Sequence, residues 1–429
     1  MNLRSVKATH DRSAARRAAR LGRSLLAWLA VVCFISPAEA VLWDGGGVTS
    51  EWTEPANWQF NLIPTTADTA TITNDTATIT GVVPPTVFAA ELGLGTLPGA
   101  LTIAGGVNPG RLNAVTNVAV ASAGNLTLGG GGPATSQVMA ATMTTSGTLS
   151  VLSLGTINLS GQLTQNTGTL NLSGGTISAA TVLSRAGVVN AAGDINANVS
   201  IGDGSGAIST LSPGDLLEVN GDLKLASDGR LEIQFRPTSG GGEFDMIDVS
   251  GTFTLGGTLD ISALGGAAPM PGVVYSVLTA GALQGAFDDI VGSAVSGGSW
   301  VPHFDLGFTS INFSYTELRG NMNADKTVDE LDVELFAHAI RDSNTYHTQF
   351  YLQGSAADAI IADMDYDGSN TFADIPLFLE AIEQFGGSSQ AALAGITRVL
   401  TAVPEPSTAV MALALFAVAV GSARRRTRN

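Results

Sequence analysis

The sequence predicts a mainly β protein in which a β-solenoid (β-helix-like) repeat region at residues 41–316 precedes a small all-α domain at residues 319–385. Three observations predict this fold. Short segments of alternating apolar and polar residues, separated by glycine, fill the first region. Glycine accounts for 52 of the 429 residues and aromatic residues for only 6%, which favours thin, turn-rich β layers. Two apolar stripes at helical spacing lie in the second region.

The chain begins with the features of a secretory signal peptide, predicted at residues 1–40. An arginine-rich stretch leads into the apolar run 24–35, and Ala38 and Ala40 then form a small-residue cleavage pattern. The run is too short for an ordinary membrane span, although an uncleaved N-terminal anchor is the alternative. Cys33, the only cysteine, lies in this run. Any metal site of the mature chain is therefore predicted to use oxygen ligands.

The repeat region contains a recurring Gly-Thr-Leu/Ile element. Its copies begin at Gly147, Gly155, Gly168 and Gly175. Alternate copies are therefore about 20 residues apart, and a period of this length predicts one coil of a solenoid that buries its apolar face against the next coil. A β-sandwich built from similar short strands is the alternative.

The repeat region offers few residues that could do chemistry. Seven charged residues and one aromatic residue occur between positions 61 and 210. Glycosidases need a pair of carboxylates, and lyases built on β-helices need acidic and basic groups on one face. The sequence also has no Gly-x-Ser-x-Gly elbow and no phosphate-binding Gly-x-x-x-x-Gly-Lys loop. We therefore predict that the protein is not an enzyme.

Two edges of the repeat region are distinctive. The first, LWDGGGVTSEWTEPANW, contains Trp43, Trp52 and Trp58, which either cap the open end of the solenoid or stack on sugar rings. The second, GGEFDMIDVSGTFTLGGTLDIS, lies near the other end. Both segments resemble parts of exported bacterial proteins with autotransporter-like β-helix repeats. The resemblance implies an architecture and no particular activity.

An acidic loop, DMDYDGSNTFAD, occupies residues 363–374. It fits the calcium-loop template, in which oxygen ligands at positions 1, 3, 5, 7, 9 and 12 surround the ion. Gly368 provides the turn at position 6. A solvated acidic turn without an ion is the alternative. The predicted ligands are Asp363, Asp365, Asp367, Ser369 through its carbonyl, Thr371 and Asp374.

A second copy of this loop, NMNADKTVDELD, lies at residues 321–332. Lys326 occupies its glycine position, and the loop has one carboxylate fewer than its partner. We therefore expect two calcium sites, of which the site in the loop at residues 363–374 binds more strongly. The alternative is that the loop at residues 321–332 is held in shape by its neighbour. The predicted ligands of the weaker site are Asn321, Asn323, Asp325, Thr327, Asp329 and Asp332.

The matching register continues into the helix that follows each loop. Phe336 matches Phe378 at the centre of the two stripes, which are predicted to pack face to face. The other matching pairs are Val333 with Ile375 and Ile340 with Ile382.

This duplicated pattern of loop and helix, with Asp at position 12, resembles the dockerin family. The resemblance covers residues 319–385 and implies two bound calcium ions and a docking partner, a cohesin module on a scaffold protein. The sequence departs from the family pattern at Lys326 and Asn321, and a long insertion separates its two halves. Residues 386–402 are predicted to be a linker.

The C-terminal segment 403–429 has three parts: a Pro-Glu-Pro turn, the apolar run 409–423 and an arginine cluster. It resembles the PEP-CTERM sorting signal. In that family the signal holds an exported protein in the inner membrane, by a transmembrane segment, until a sorting protease removes it. A permanent tail anchor is the alternative. The arginines are expected to stay cytoplasmic.

Together these features predict an exported, non-catalytic surface or matrix protein, tethered to the inner membrane until it is processed. A cohesin-like protein, another surface protein or a polysaccharide is the expected partner. The formal net charge of -17 argues against nucleic acid. One alternative is a component of a polysaccharide-degrading or polysaccharide-binding assembly. Another is that the paired loops form a stabilising calcium clip with no partner.

Overall fold

The computed structural model describes residues 39–401 except for short internal segments. The segments left out are 81–84, 95, 106–107, 131, 237–242, 265–273, 293, 296–297, 305–307, 317, 344–345, 347–358 and 366–368. Most of the predicted signal peptide and the whole predicted sorting signal therefore lie outside the described residues. The described part is mainly β with few helices.

The strands occupy the region between Glu39 and Thr316. The first fourteen are β1 (Glu39–Trp43), β2 (Asp68–Ile72), β3 (Thr76–Ile79), β4 (Thr86–Val87), β5 (Ala89–Leu92), β6 (Gly99–Ile103), β7 (Gly110–Ala114), β8 (Asn117–Val120), β9 (Gly124–Leu128), β10 (Ser136–Ala140), β11 (Thr142–Thr145), β12 (Thr148–Leu152), β13 (Gly155–Leu159) and β14 (Gln162–Gln165). The others are β15 (Thr169–Ser184), β16 (Gly187–Ile201), β17 (Ser209–Val219), β18 (Leu223–Leu225), β19 (Gly229–Arg236), β20 (Glu243–Phe244), β21 (Ile247–Leu255), β22 (Thr258–Ala263), β23 (Val274–Gly285), β24 (Asp289–Val291), β25 (Ala294–Val295), β26 (Gly298–Phe304) and β27 (Ser310–Thr316).

Most of the strands pair in parallel with a strand one turn further along the chain. Strand β15 shows the pattern, because three successive parts of it pair in parallel with β12, β13 and β14. The partner of Thr148 is Thr169, and the partner of Thr156 is Thr176. The predicted period of about 20 residues therefore corresponds to the register of the pairing. Parallel ladders of this kind differ from the antiparallel sheets of the alternative β-sandwich.

A continuous ladder of buried aliphatic side chains runs through these turns. Leu149 pairs with Leu126 on one side and with Leu170 on the other, and all three are fully buried. Each side chain fills the space against its equivalent in the next turn. The ladder consists of Ala77, Leu101, Leu126, Leu149, Leu170, Val189, Leu211, Leu231, Leu259 and Ile290.

Glycine is required at one corner of the turns. A Cβ atom at Gly168 would overlap the carbonyl oxygen of Gly147, and one at Gly187 would overlap that of Gly168. Gly168 also has a φ of +79°, which other residues rarely adopt. The Gly-Thr-Leu repeat of the sequence therefore includes a corner at which successive turns approach too closely for a side chain.

The tryptophans of the first edge form a buried cluster at the start of the stack. The ring of Trp58 packs edge to face on Trp43 and Trp52, with centroids 5.0 and 4.7 Å away. The exposed fraction is 3% or less for all three residues. The rings therefore cover the first apolar layer, and their faces offer no surface for stacking on sugars. Strand β1 includes Glu39 and Ala40, which pair with β2 although they precede the predicted cleavage point.

The end of the strand region changes to antiparallel pairing. Strands β23, β27 and β26 form antiparallel pairs around an aromatic group that includes Phe235 and Trp300, whose rings stack at 4.0 Å. Bulky aromatic residues thus close the C-terminal end of the region, as the tryptophans do at the N-terminal end.

A separate apolar cluster lies in the helical region that follows. Its helices are α1 (Val333–Arg341), α2 (Asp374–Gln384) and α3 (Ser389–Thr401), with a 3-10 turn at Ala359–Ala362. Phe336 of α1 stacks on Phe378 of α2, as the matching stripes predict. Val301 of β26 belongs to the same cluster, so the strand and helical regions are in contact.

Helix α3 lies in the segment that the sequence analysis assigned to a linker. Gly386, at a φ of +91°, ends α2 in a Schellman motif in which the Gly387 N–H donates to the Ile382 carbonyl. The Ser388 hydroxyl then accepts the Ala391 N–H at the start of α3. The Gly-Gly-Ser-Ser run is therefore a helix end followed by a helix start. The buried residues of α3 are Ala392, Ile396 and Val399.

Within the part of the chain that the structure describes, no helix is long and apolar enough to cross a membrane. The predicted membrane segment at 409–423 lies outside that part.

Candidate metal centre

The loop at residues 363–374 brings three carboxylates together between the 3-10 turn and helix α2. Oxygen atoms of Asp363, Asp365 and Asp374 all lie within 4.8 Å of one another. Asp363 and Asp374 are buried, whereas Asp365 is exposed. Among the described residues this is the one group of three or more acidic, histidine or cysteine side chains that could hold a metal ion.

Asp374, at position 12 of this loop, organises the loop backbone. Its Oδ1 atom accepts the N–H groups of Met364 and Asp365 at 2.6 and 3.2 Å. Its Oδ2 atom accepts the N–H group of Thr371 at 2.7 Å. The carboxylate thus accepts backbone N–H groups from the beginning of the loop and from position 9, and it joins these two parts of the loop.

The structure describes five of the six predicted ligands in this loop. Asp367 and the neighbouring Gly368 lie outside the described residues. Ser369 is exposed, and the Thr371 hydroxyl accepts the Ala373 N–H at 3.1 Å. The structure thus brings together the carboxylates predicted at positions 1, 3 and 12.

The loop at residues 321–332 has the same internal architecture. Asp332, at its position 12, accepts the Asn323 N–H at 3.0 Å and the Asp329 N–H at 2.9 Å. These donors stand at positions 3 and 9, as they do for Asp374. Burial raises the pKa of Asp332 to about 7, although the backbone hydrogen bonds that the carboxylate accepts act in the opposite direction.

Hydrogen bonds within this loop occupy its other predicted ligands. Asp325 accepts bonds from the Thr327 hydroxyl at 2.7 Å and from the Asn323 side chain at 3.0 Å. Burial raises the pKa of Asp325, but these bonds and that of the Thr327 N–H outweigh it, so the pKa lies below its ordinary value. Asn321 is buried, and its Oδ1 accepts the Asp325 N–H at 3.1 Å. Amide and hydroxyl groups of the loop itself thus make hydrogen bonds with these predicted ligands.

Lys326 adopts the backbone conformation that the glycine position requires. Its φ is +77°, in the left-handed region that favours glycine. The lysine is therefore accommodated at the template's glycine position at the cost of local strain.

The available ligands fit calcium. All are oxygen atoms of carboxylates, amides, hydroxyls or carbonyls, which are the ligands that this hard cation prefers. The loop at residues 363–374 supplies the denser negative charge. The carboxylates of the other loop, Asp325, Asp329 and Asp332, do not form a group of the same compactness among the described residues.

Arg319 is a charged neighbour of the site that the sequence analysis did not identify. Its Nη1 atom lies 3.0 Å from Asp363 Oδ2, although 44 residues separate the two positions. The sequence signal was weak: a single basic residue stands just before the first of two acidic loops.

A second feature, remote from the loops, is a cleft on one outer face of the strand stack. It has a volume of about 810 Å³. A column of outward-facing residues, one from each turn, lies along this open cleft, and alanine side chains lie beside the column. The column consists of Thr86, Asn113, Met139, Asn158, Ser178 and Asn196. The residues that line the cleft include no charged and no aromatic side chain.

Comparison with protein-family models matches residues 402–426 to the PEP-CTERM protein-sorting motif. No curated protein and no solved structure matches the chain. The match supports the sorting signal predicted at 403–429 and indicates an exported protein that is sorted to the cell envelope. It covers the C-terminal signal alone, so the loops and the strand stack are interpreted from their own geometry.

Proposed function

We propose that the protein is a non-catalytic component of the cell surface or extracellular matrix, in which a β-solenoid carries a dockerin-like, calcium-dependent docking module. The observation that carries the proposal is the compact group of Asp363, Asp365 and Asp374 in one of two equivalent loops. Three carboxylates this close repel one another, and the single guanidinium of Arg319 offsets only part of their charge, so a bound cation is favoured. The sorting motif directs the protein to the envelope, where such a module can meet a partner.

The solenoid part of the proposal is supported by the parallel pairing of successive turns and by the buried aliphatic ladder. Stacked turns form an elongated body, because each turn contacts only its neighbours. In this proposal the body is a spacer, and the helical region at its C-terminal end is the docking module. The sparse charges between residues 61 and 210 support a structural role over catalysis for that part of the strand region.

Calcium binding is tested on the full-length protein by thermal unfolding in EDTA and in CaCl2. A ligand that binds only the folded state stabilises it by about 2.7 kcal/mol at a hundredfold excess over Kd. We expect CaCl2 to raise the unfolding temperature of the helical region. Asp365→Ala should abolish most of this increase, since Asp365 is an exposed member of the acidic group. Glu380→Ala, an exposed position on α2, is the charge-matched control and should respond as the wild type does.

An unfolding temperature that is the same in EDTA and CaCl2 would overturn the calcium proposal. If calcium stabilises the protein, docking is tested separately by binding to a purified cohesin-like module and to isolated envelope from the source cells. Binding that requires calcium and is lost in Asp365→Ala supports docking. Stabilisation without any such binding supports the alternative, a calcium clip.

Polysaccharide binding is a second candidate function, and the cleft favours it. Asn158 and Asn196 present amides, and Ser178 presents a hydroxyl, each of which can donate and accept hydrogen bonds as sugar hydroxyls do. Strands about 4.8 Å apart place these groups at regular intervals along the cleft. Because no charged residue lines the cleft, the chemistry fits an uncharged polymer.

This second candidate is tested by titrating a panel of uncharged polysaccharides into the full-length protein. Asn158→Leu should reduce the affinity for a polymer that binds in the cleft. Asn125→Leu, which changes an exposed amide on a different strand face, is the control. Equal affinities of the two variants would show that the polysaccharide binds outside the cleft. If the wild type binds none of the polysaccharides in the panel, the protein does not bind polymers of the kinds tested.

A further inference from the structure

The ion pair between Arg319 and Asp363 joins the two loops. Arg319 precedes the loop at residues 321–332 by two positions, and Asp363 is position 1 of the other loop. The Nη1 atom contacts Asp363 Oδ2 at 3.0 Å and also donates to the Asp363 carbonyl oxygen. The Asp363 side chain is only 4% exposed and that of Arg319 only 20%, so solvent screens the pair poorly.

The backbone holds Arg319 in this position. The N–H of the next residue, Gly320, donates to the Ile361 carbonyl at 2.9 Å, two residues before Asp363. Gly320 has a φ of +83°, and a Cβ there would lie 3.1 Å from Phe378 and 3.2 Å from Val328. The approach of the two chain segments is therefore set by close packing, which directs the guanidinium at Asp363.

The arrangement is not reciprocal. Position 1 of the other loop is the neutral Asn321, whose amide donates to the Thr316 hydroxyl at 3.3 Å. The residue two positions before Asp363 is the apolar and buried Ile361. Only the more acidic loop thus has an internal cation at its first ligand position among the described residues.

We propose that Arg319 is an internal counter-cation, which neutralises part of the acidic group in the metal-free protein and lowers its affinity for calcium. This inference rests on the proposed calcium site. A guanidinium that contacts a ligand carboxylate repels a divalent cation bound to the same group. It also compensates the repulsion between Asp363, Asp365 and Asp374 when no ion is bound. The acidic group is therefore less destabilising at low calcium, and a higher calcium concentration is needed to fill the site.

The proposal predicts opposite changes in two measurements on the full-length protein. Arg319→Met removes the charge and keeps a side chain of similar apolar length. Calorimetric titration with CaCl2 should show a calcium affinity at least about tenfold higher. A tenfold change is the size expected for one unit charge about 6 Å from a divalent ion at the dielectric constant of water, and the poorer screening at this buried pair makes the effect larger. The unfolding temperature in EDTA should fall, because the three carboxylates lose their counter-cation.

Two further variants separate charge from structure. Arg319→Lys keeps the charge, so its calcium affinity should remain within about twofold of the wild type. Arg398→Met removes a cation from the same region, where the Arg398 side chain is 75% exposed, and should change neither measurement. If Arg319→Met does not fold in EDTA, the calcium affinities of Arg319→Gln and Arg319→Lys are compared instead. Only Arg319→Gln, which lacks the charge, is then expected to bind calcium more tightly than the wild type.

The results distinguish this inference from the proposed function. A wild type that neither binds CaCl2 nor is stabilised by it overturns the calcium site and the inference together. A wild type that binds, combined with an Arg319→Met affinity that is unchanged or lower, overturns the inference and leaves the site intact. The latter result would show that Arg319 only positions Asp363 for the ion.

Discussion

Phe336 and Phe378 lie face to face, with ring centroids 3.8 Å apart and planes inclined by 5°. Each is the fourth residue after position 12 of its loop. Both rings are fully buried, and the cluster around them includes residues from all three helices. The pair therefore lies at the point where the two halves of the helical region meet.

Truncation of this pair should destabilise the helical region strongly. Phe336→Ala is expected to cost about 3–5 kcal/mol, because it removes a buried ring and leaves a cavity. The free energy of unfolding in urea, followed by a helix-sensitive signal, measures the effect. Phe372→Ala is the control, since Phe372 is 67% exposed, and it should change stability by no more than about 0.5 kcal/mol. Equal effects of the two variants would contradict the packing described here.

The close approach of successive turns is tested at Gly168. Gly168→Ala introduces both a strained φ and an overlap with Gly147. Gly206 has a similar φ, +93°, but no atom lies within 4 Å of the place where its Cβ would stand. Gly206→Ala should therefore cost about 1–2 kcal/mol from strain alone, whereas Gly168→Ala should cost clearly more. Matching losses in the two urea titrations would show that the corner tolerates a side chain.

Replacement of the strained lysine should improve the loop at residues 321–332. In Lys326→Gly, relief of about 1–2 kcal/mol of left-handed strain exceeds the entropic cost of glycine, about 0.5–1 kcal/mol. A net stabilisation of up to about 1 kcal/mol is expected in EDTA, together with tighter calcium binding. Lys326→Ala removes the charge and keeps the Cβ. It should therefore bind calcium more tightly than the wild type without becoming more stable in EDTA. Loss of stability in Lys326→Gly would contradict the assignment of strain.

Asp245 predicts a pH dependence that originates in the strand region. The residue is 2% exposed, and burial raises its pKa to about 6, although the Gln234 N–H donates to its Oδ2 at 2.9 Å. The ordinary value in an unfolded chain is about 3.9. Because the folded state holds the proton more tightly, this group stabilises the fold below about pH 4. Its contribution is lost as the pH rises from about 4 to 6.

Asp245→Asn should therefore gain stability relative to the wild type as the pH increases through this window. Urea titrations at half-unit intervals between pH 4 and 7 measure the difference between the two proteins. Glu91→Gln, a change of an exposed carboxylate on β5, controls for the loss of one charge. A difference that stays constant across the window would show that Asp245 ionises in the folded state as it does in the unfolded chain.

Local side-chain patterns were enough to predict much of the fold. Alternation of apolar and polar residues defined strand faces, and the spacing of Gly147 and Gly168 matched the register of neighbouring turns. The template positions of the acidic loops and the helical stripe that contains Phe336 and Phe378 were also readable from spacing. These features depend on residues within one element, or on elements that repeat with a constant period, so the sequence carries them directly.

One local signal was misread. The segment of α3 has apolar residues at helical spacing, Ala392, Ile396 and Val399, but the preceding Gly-Gly-Ser-Ser run favours a linker in isolation. The glycines end one helix and Ser388 begins the next. Whether such a run is flexible or a tight helix junction depends on what the next helix packs against, which in this case is the cluster around Phe336.

The sequence by itself determined which oxygen-bearing side chains each loop offers, the alternation of the strands, the period of the turns and the sorting signal. Only the tertiary structure decided that Trp58 is buried within its cluster, that small residues form a cleft beside Asn158, and that Arg319 reaches Asp363. The physical reason is distance along the chain. Spacing specifies which face of an element a side chain occupies, but packing between remote elements determines its neighbours and therefore its charge environment.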